Sequence, residues 1–379
     1  MVKHGVIYGN CNVRLFEQTP ASRLRHIFSA ENLIEKTLDS LEPPYKNQSI
    51  LFCSAEYVVD IAIIRAMKKS ENTLLVENDC VIMANLSGEH IAKAVKAIKA
   101  KKCFKTIEGV KVLSRYQLSD LYNDALRKRG VPFIEKVADA RKKNIEWIMY
   151  NSAYKGVTDF LTKYAWRHLA FHITRWCAKM KVHPNFITII GLALTIAAGW
   201  HFYHGNYTLG LIEAWVMMVL DTVDGKLARV TITDSPMGHV LDHGNDLIHP
   251  PFWWWAWLYG LGSYGTPLSP ELNVLVFAAT FGGYILGRIV EGIFIVTFGM
   301  DIHVWRPIDS YFRLFTARRN PNIFILTLSL IGGHPDLGIV LVGVWTLVSI
   351  VFYLVRYATA GLVKLRHGKM SVVSWLDKS

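Results

Sequence analysis

The chain has 379 residues, which is long for one average domain and predicts two. It carries 42 Lys and Arg against 30 Asp and Glu, a formal net charge of +12, and 51% of its residues are hydrophobic. This charge would suit nucleic acid, but the basic residues are distributed as on a membrane protein, so nucleic acid is excluded as a partner.

The amino terminus is expected to stay in the cytoplasm. Met1 to Gly9 lacks a charged start followed by an apolar core, so it does not read as a signal peptide. The five cysteines form no C-x-x-C pair and no metal-type spacing with His. We expect reduced, mostly buried thiols at Cys11, Cys53, Cys80, Cys103 and Cys177.

Residues 1–145 alternate short β-rich runs with helical stretches, which predicts a soluble α/β domain with a partly parallel sheet. The β-rich runs are Gly5–Tyr8, Ser49–Cys53 and Thr73–Val76; the expected helices are Asn32–Leu41, Val58–Met67 and Glu89–Lys101.

This order of elements resembles nucleotidyltransferase domains that act on sugar nucleotides or CTP. Such domains bind the nucleotide with a Gly-rich loop and a following Lys, whereas this chain has only Gly9 and Arg14 there. Glu56 stands where the resemblance implies a metal-binding Asp. The domain is therefore expected to be degenerate and non-catalytic, with Arg14 as either a surface residue or a phosphate ligand.

Residues 146–184 interleave basic and aromatic side chains directly before the first apolar segment. That pattern predicts juxtamembrane amphipathic helices in the headgroup layer, with a solvated connector as the alternative. Lys155 and Asp159 are candidates for binding an acceptor or for the contact between the domains.

Residues 185–379 form the predicted membrane domain, an α-helical domain of about six transmembrane helices. With the amino terminus inside, the three outside connections contain no Lys or Arg, while the inside connections contain many. The positive-inside rule then predicts a multi-pass protein whose polar motif faces the cytosol. The candidate spans are 186–203, 207–224, 239–261, 272–297, 321–333 and 336–358.

A polar motif interrupts this apolar region. Its spacing is D-x2-D-G-x2-A-R-x8-G-x3-D-x3-D, formed by Asp221, Asp224, Gly225, Ala228, Arg229, Gly238, Asp242 and Asp246. Carboxylates near membrane depth are costly unless they are paired or bind a cation. Two helical pairs, at i, i+3 and i, i+4, would form an oxygen cage suited to Mg²⁺ or Mn²⁺. Salt bridges within a helix bundle are the alternative.

The motif also predicts a ligand surface. Gly225 lets a ligand approach the helix backbone, Ala228 keeps the surface shallow, and the guanidinium of Arg229 suits a phosphate. Asp246 lies about 6 Å along the helix from Asp242, where it is placed to act as a general base.

The motif is similar, at every fixed position, to the signature of the CDP-alcohol phosphotransferase family of integral membrane enzymes. The resemblance covers roughly residues 150–360 and includes Pro184-Asn185-x-x-Thr188. It implies two metal ions, with Asp221, Asp224, Asp242 and Asp246 as ligands and Asp246 also as the base. It further implies a homodimer and a CDP site formed by Asp221, Gly225, Ala228, Arg229, Asn185, Thr188 and Gly238.

The resemblance implies transfer of a substituted phosphate from a CDP-alcohol to a hydroxyl acceptor, releasing CMP, in phospholipid biosynthesis. Whether donor or acceptor is the lipid stays open. Three residues are candidates for the acceptor: His249, Arg288 and Arg313. His249 alternatively bonds a carbonyl freed by Pro250 and Pro251, Arg288 pairs with Glu291, and Arg313 anchors the cytosolic loop.

Three other functions remain possible. A bifunctional enzyme would also make its own CDP-alcohol, such as CDP-inositol, from CTP in the amino-terminal domain. A metal-ion channel or transporter would use the carboxylates but leaves Gly225, Ala228 and Arg229 unexplained. A catalytically dead scaffold would not need the complete motif.

Overall fold

A computed structural model describes residues 2–41, 43, 45, 48–100, 106–118, 122–124, 126–368 and 371–377. Seven side chains inside these ranges lie outside the description: Leu118, Tyr122, Pro236, Met237, His239, Asp242 and His243.

The amino-terminal part contains a six-stranded mixed sheet in the order β2-β1-β3-β6-β5-β7. β1 pairs in parallel with β2 and β3, and β5 pairs in parallel with β7, while β6 runs antiparallel to β3 and β5. The predicted α/β region with a partly parallel sheet is therefore present. The strands are β1 His4–Tyr8, β2 Ile34–Lys36, β3 Ser49–Ser54, β4 Tyr57–Val59, β5 Thr73–Glu77, β6 Cys80–Ser87, β7 Lys111–Leu113, β8 Tyr122–Asn123, β9 Lys128–Arg129 and β10 Ile134–Lys136.

Six helices accompany these strands and lead to the second domain. They are α1 Pro20–Ala30, α2 Ile61–Lys69, α3 Glu89–Lys99, α4 Arg115–Leu118, α5 Lys142–Ser152 and α6 Trp166–Lys179. Hydrophobic side chains on both faces of the sheet are buried against helices. Leu51 of β3 packs in one cluster with Phe28 of α1 and Ile64 of α2, and Phe52 of β3 packs in another with Ile91 of α3.

The predicted helix at Asn32–Leu41 is wrong. That stretch forms β2 and a short 3₁₀ turn, Leu38–Ser40, because β2 pairs with β1 along the sheet edge. The helix lies earlier, at α1, where Thr19 caps the first turn and Pro20 occupies the first helical position. Both start signals are present in the sequence.

The six apolar segments predicted from the sequence each correspond to a helical stretch, and the fifth extends two residues past the end of its helix. They correspond to α7 Pro184–Tyr203, α8 Tyr207–Thr231, α9 Pro236–Tyr264, the continuous run of α10 Pro270–Phe277 and α11 Gly283–Phe298 through a π-helical turn, α13 Arg319–Ile331 and α14 Pro335–His367. The short helix α12, Pro307–Phe312, lies in the connection before α13.

Among the residues that the structure describes, three helical stretches are long and apolar enough to cross a membrane: Pro184–Tyr203, Pro270–Phe298 and Pro335–His367. Apolar side chains on them point away from the protein, and Ile196, Val296 and Val351 are among the most exposed. Such outward apolar faces suit contact with lipid. The count of six spans stays a prediction.

Helix α9 continues through Pro250 and Pro251. A proline cannot donate to the carbonyl four residues earlier, so the carbonyls of Asp246 and Leu247 lose their helical partners. Both instead accept from the hydroxyl of Tyr284 on α11, at 3.2 and 3.1 Å. The tertiary contact therefore satisfies the carbonyls that the two prolines leave open.

The cysteine prediction is correct for Cys11, Cys53 and Cys177, which are free. Cys80 is disulfide-bonded, contrary to expectation, because bond formation depends on which sulfurs the fold brings together and not on sequence spacing. Cys103 lies outside the described residues.

Candidate active site

The motif is brought together by the first three helices of the second domain. Helix α8 ends at Thr231 and is followed by Ile232, which adopts a left-handed conformation. Helix α9 begins after Ser235, whose hydroxyl accepts from the backbone N–H of Gly238 at 3.0 Å. This short connection reverses the chain. It places the carboxyl end of α8 beside the amino end of α9, so both halves of the motif lie at one end of the helices.

Gly238 allows this end to close against α7. A Cβ atom at Gly238 would lie 2.9 Å from Oδ1 of Asn185, in the first turn of α7. Gly238 and Asn185 both belong to the predicted CDP-binding set, and the fold makes them neighbours.

Asp221 and Asp246 share one cation, the guanidinium of Arg319. Arg319 Nη2 lies 2.7 Å from Asp221 Oδ2, and Arg319 Nη1 lies 2.5 Å from Asp246 Oδ1. Arg319 is the first residue of α13, so this contact joins α8, α9 and α13. The two carboxylates therefore face each other closely enough to hold a single positive group.

Asp224 faces the other side of the motif and is buried, with 5% of its surface exposed. Its Oδ2 accepts a hydrogen bond from the hydroxyl of Thr188 at 2.7 Å. Thr188 lies one turn into α7 and belongs to the same predicted CDP-binding set as Asn185. The side chain of Asp242, the remaining predicted metal ligand, lies outside the described residues.

A cavity of about 880 Å³ lies on the Asp224 side of the motif. Its lining contains nearly all of the predicted CDP-binding residues: Asn185, Thr188, Gly225, Ala228, Arg229 and Gly238. Its volume lies within the range of about 300–1,000 Å³ that is typical of small-molecule sites. Asp221, the remaining member of that predicted set, lines a different cavity.

The second cavity, of about 420 Å³, lies on the side of Asp221 and Asp246. Eight cationic and five anionic side chains line it, including the predicted acceptor residues Arg288 and Arg313. Lys155, Gly225 and Arg229 line both cavities, so the two spaces adjoin at the motif.

Of the predicted acceptor residues, His249 lines neither of these two cavities. It is buried against Trp253, and its Nδ1 lies 2.6 Å from the carbonyl oxygen of Asn245. The alternative interpretation predicted that His249 bonds a carbonyl freed by the prolines. His249 does contact a carbonyl, but it is that of Asn245, which the prolines do not free.

Arg288 pairs with Glu291 at 2.7 Å, as its i, i+3 spacing suggested. Glu291 also accepts from Arg318 at 2.7 Å and lies 3.2 Å from Nε2 of His303. Burial lowers the pKa of His303 to about 4, so this histidine is neutral at physiological pH. Two of the arginines in the smaller cavity are thus already bound to one carboxylate.

Arg313 differs from these arginines. Its side chain is buried, and its Nε and Nη1 have no hydrogen-bond partner among the described residues. Burial lowers the pKa of Arg313 to about 9, with Arg318 adding repulsion and Asp159 opposing it, so the group stays charged at neutral pH. A buried cation with open donors is suited to an anionic ligand.

Asp159 anchors the start of α13. Burial alone would raise its pKa, but the charge of Arg313 and hydrogen bonds from Thr162 and Asn320 outweigh burial and hold the pKa below its usual range. Asn320 donates to Asp159 at 3.1 Å, directly after Arg319 in the chain. Asp159 therefore helps to position the arginine that the aspartates share.

The metal prediction is consistent with this arrangement but is not tested by it. Among the side chains that the structure describes, no group of three or more His, Cys, Asp or Glu forms a metal-type cluster. The position of Arg319 nevertheless shows that Asp221 and Asp246 converge on one cationic group. Their hard oxygen donors suit Mg²⁺ or Mn²⁺.

The fold and the site define a helical domain with converging carboxylates between two adjoining cavities. Residues 181–310 match the family model of the CDP-alcohol phosphatidyltransferase domain, so the chain contains a domain of that family.

Individual relatives agree over shorter stretches. The chain is 29% identical over 141 residues to cholinephosphotransferase 1 of Xenopus laevis, which covers 33% of each chain. It is 28% identical over 129 residues to cholinephosphotransferase 1 of Homo sapiens, covering 31% of this chain and 30% of that protein. It is 40% identical over 70 residues to archaetidylinositol phosphate synthase of Pyrococcus horikoshii, covering 18% and 37%. The chain thus spans about a third of the length of these relatives.

Proposed function

We propose that this protein transfers a substituted phosphate from a CDP-alcohol to a hydroxyl acceptor and releases CMP, as a membrane enzyme of phospholipid biosynthesis. The observation that carries the proposal is the pair of cavities adjoining at Gly225, Lys155 and Arg229, with aspartates of the motif on either side. A transferase needs two substrates to meet at one reacting atom, and adjoining cavities provide that arrangement.

The larger cavity is the donor site in this proposal. Thr188 orients Asp224 by its hydrogen bond, and Gly225 and Ala228 leave the helix surface open to the nucleotide. Arg229 supplies a cation for the diphosphate. Asp221, Asp224, Asp242 and Asp246 are the residues that would hold Mg²⁺ or Mn²⁺, which would offset the negative charge on the diphosphate.

The acceptor enters the smaller cavity. Its hydroxyl oxygen forms a bond to the phosphorus bearing the alcohol, and the bond from that phosphorus to the oxygen of CMP breaks. The hydroxyl proton passes to a carboxylate oxygen of Asp246, which lines this cavity. Arg319, which contacts Asp246, fixes the position of that carboxylate.

The acceptor is proposed to carry an anionic group. The cavity has an excess of cationic side chains, and Arg313 presents buried donors that lack partners among the described residues. Arg288 and Arg318 are bound to Glu291, so Arg313 is the stronger candidate for the contact. An alcohol phosphate fits this chemistry better than an uncharged alcohol.

The relatives leave the position of the lipid open, since their names include both cholinephosphotransferases and an archaetidylinositol phosphate synthase. CMP release by the purified protein tests the proposal. One arm supplies CDP-diacylglycerol with polar alcohols or alcohol phosphates, and the other supplies a soluble CDP-alcohol with diacylglycerol, each with Mg²⁺ or Mn²⁺ and with EDTA.

Asp246→Asn is the variant that tests the base. We expect kcat to fall by about 10²–10⁴-fold while CMP affinity stays nearly unchanged, because the amide cannot accept the proton. Glu271→Gln, at an exposed position in the first turn of α10, makes the same chemical change outside the site and should retain full activity. Full turnover in Asp246→Asn would rule out this role.

Failure of CMP release in both arms would reject the transferase proposal. Pyrophosphate release from CTP by the full chain would support the bifunctional alternative. The homodimer and the cytoplasmic position of the site stay predictions.

A further inference from the structure

The amino-terminal domain is attached to the helix that carries the motif. Gln18 Nε2 donates to the carbonyl oxygen of Thr231 at 2.8 Å, and Arg23 Nη1 donates to the carbonyl oxygen of Val230. Both acceptors lie in the last turn of α8, where carbonyls have no partner within the helix. Side chains of the amino-terminal domain therefore cap the end of α8.

Apolar contact reinforces this attachment. Ile232, the residue that follows α8, packs against the hydrophobic core of the amino-terminal domain, as Ile7 and Ile61 of that domain also do. The end of the motif helix is thus held by hydrogen bonds and by hydrophobic packing. Such a combined contact places the domain at a defined position beside Ala228 and Arg229.

The larger cavity is lined from both sides of this contact. Asn185, Thr188 and Gly225 belong to the helical domain, whereas Arg23 and Phe133 belong to the amino-terminal domain. Further lining residues from that domain are Asp60, Ile61, Arg65, Asn123 and Leu126. The cavity is therefore completed by a domain that lies outside the stretch matching the family model.

Arg23 is the buried cation of this second wall. Its side chain is 7% exposed, and its Nε has no hydrogen-bond partner among the described residues. Burial lowers the pKa of Arg23 to about 10, with Asp60 opposing the shift, so the guanidinium stays charged at neutral pH. A buried guanidinium with an open donor at a cavity wall suits an anionic or carbonyl-bearing ligand.

We propose that the amino-terminal domain forms one wall of the nucleotide site of the helical domain, with Arg23 as its cationic contact to the CDP moiety. This inference rests on the proposed function, since it assigns the larger cavity to the CDP-alcohol donor. It gives the amino-terminal domain a role in donor binding that does not require this domain to catalyse a reaction.

The test is the affinity of the full-length, detergent-purified protein for CMP, measured by calorimetry. We expect Arg23→Ala to weaken CMP binding by about tenfold, the usual cost of losing a hydrogen bond to a charged group. Gln18→Ala removes a docking hydrogen bond next to the cavity without removing a lining residue. This control should bind CMP within about twofold of the parent.

A second pair of variants keeps the test decisive if Arg23→Ala does not fold. Arg65 lines the cavity and is 59% exposed, so Arg65→Glu is compatible with folding and reverses a wall charge. We expect it to weaken CMP binding by about threefold or more through repulsion of the phosphate. Its control is Arg25→Glu, an exposed position on α1 that does not line the cavity.

Two results would contradict the proposal that the amino-terminal domain forms a wall of the nucleotide site. One is unchanged CMP affinity in both Arg23→Ala and Arg65→Glu; the other is equal weakening in Gln18→Ala and Arg23→Ala, which would reduce Arg23 to a docking residue. If either result is obtained while the parent protein still releases CMP from a donor, only this inference is rejected. If the parent protein neither binds nor releases CMP, the proposed function is rejected as well.

Discussion

Arg319 bridges two aspartates of the candidate site. Its guanidinium reaches Asp221 on α8 and Asp246 on α9, while the neighbouring Asn320 is fixed by Asp159. Removing this cation takes away the positive charge that the two facing carboxylates share. A divalent cation bound between them would restore the balance of charge.

Arg319→Gln should therefore make stability depend on metal. In EDTA we expect the variant to lose about 1–3 kcal/mol, less than a fully buried pair would cost because the Asp246 side chain is 43% exposed. Thermal unfolding with EDTA and with Mn²⁺ measures this, and Mn²⁺ should stabilise the variant more than the parent.

Arg366→Gln removes an exposed cation from the last turn of α14 and serves as the control, with no expected change in metal response. An Arg319→Gln protein that is as stable as the parent in EDTA would show that the carboxylates need no compensating charge.

Helices α7, α8 and α9 also pack closely at the end opposite the motif. A Cβ atom at Gly260 would lie 2.0 Å from the carbonyl oxygen of Phe202, so only glycine allows α9 to approach the turn after α7. Nearby, Tyr207 stacks on Trp257 and donates to its carbonyl at 2.7 Å. These contacts set the angle at which α9 carries Asp246 toward Asp221.

Gly260→Ala should destabilise the protein by at least about 1–3 kcal/mol, because the methyl group meets backbone that cannot move aside without separating the helices. Gly262→Ala, two residues after Gly260 in the same helix, is the matched control. A Cβ there meets nothing within 4 Å, so the substitution should be neutral or stabilise by up to about 1 kcal/mol. Comparison of thermal unfolding midpoints measures the difference; equal midpoints would contradict the close packing.

The whole molecule is predicted to have its amino-terminal domain and its candidate site in the cytoplasm. Basic residues are absent from the connections expected outside, and the turn between α13 and α14 is one of these. His334 lies in that turn with 69% of its side chain exposed, whereas Lys179 is exposed at the end of α6, on the expected inner side.

Cysteine labelling in intact cells measures this orientation. A membrane-impermeant maleimide should label His334→Cys in intact cells and Lys179→Cys only after permeabilisation. The parent is the control, because its free cysteines Cys11, Cys53 and Cys177 lie in parts of the chain expected inside. The reverse labelling pattern would place the site on the other face of the membrane.

Local pattern was sufficient for some elements and misleading for others. The six apolar segments were predicted from hydrophobic length, because a long apolar helix is specified by its own residues. The stretch Asn32–Leu41 was predicted as a helix but contains β2, because pairing with β1 outweighs local propensity. Helix α1 was overlooked although Thr19 and Pro20 mark its start.

The sequence by itself determined the motif, the family resemblance and the positions of the long apolar helices, since each depends on residues close together in the chain. Only the tertiary structure determined which distant side chains and backbone groups contact one another. Arg319 lies 98 residues from Asp221 and 73 from Asp246, and Arg23 lies 207 residues from Val230. Contacts over such separations depend on how whole elements pack, so no local pattern distinguishes these arginines from the others that the chain carries.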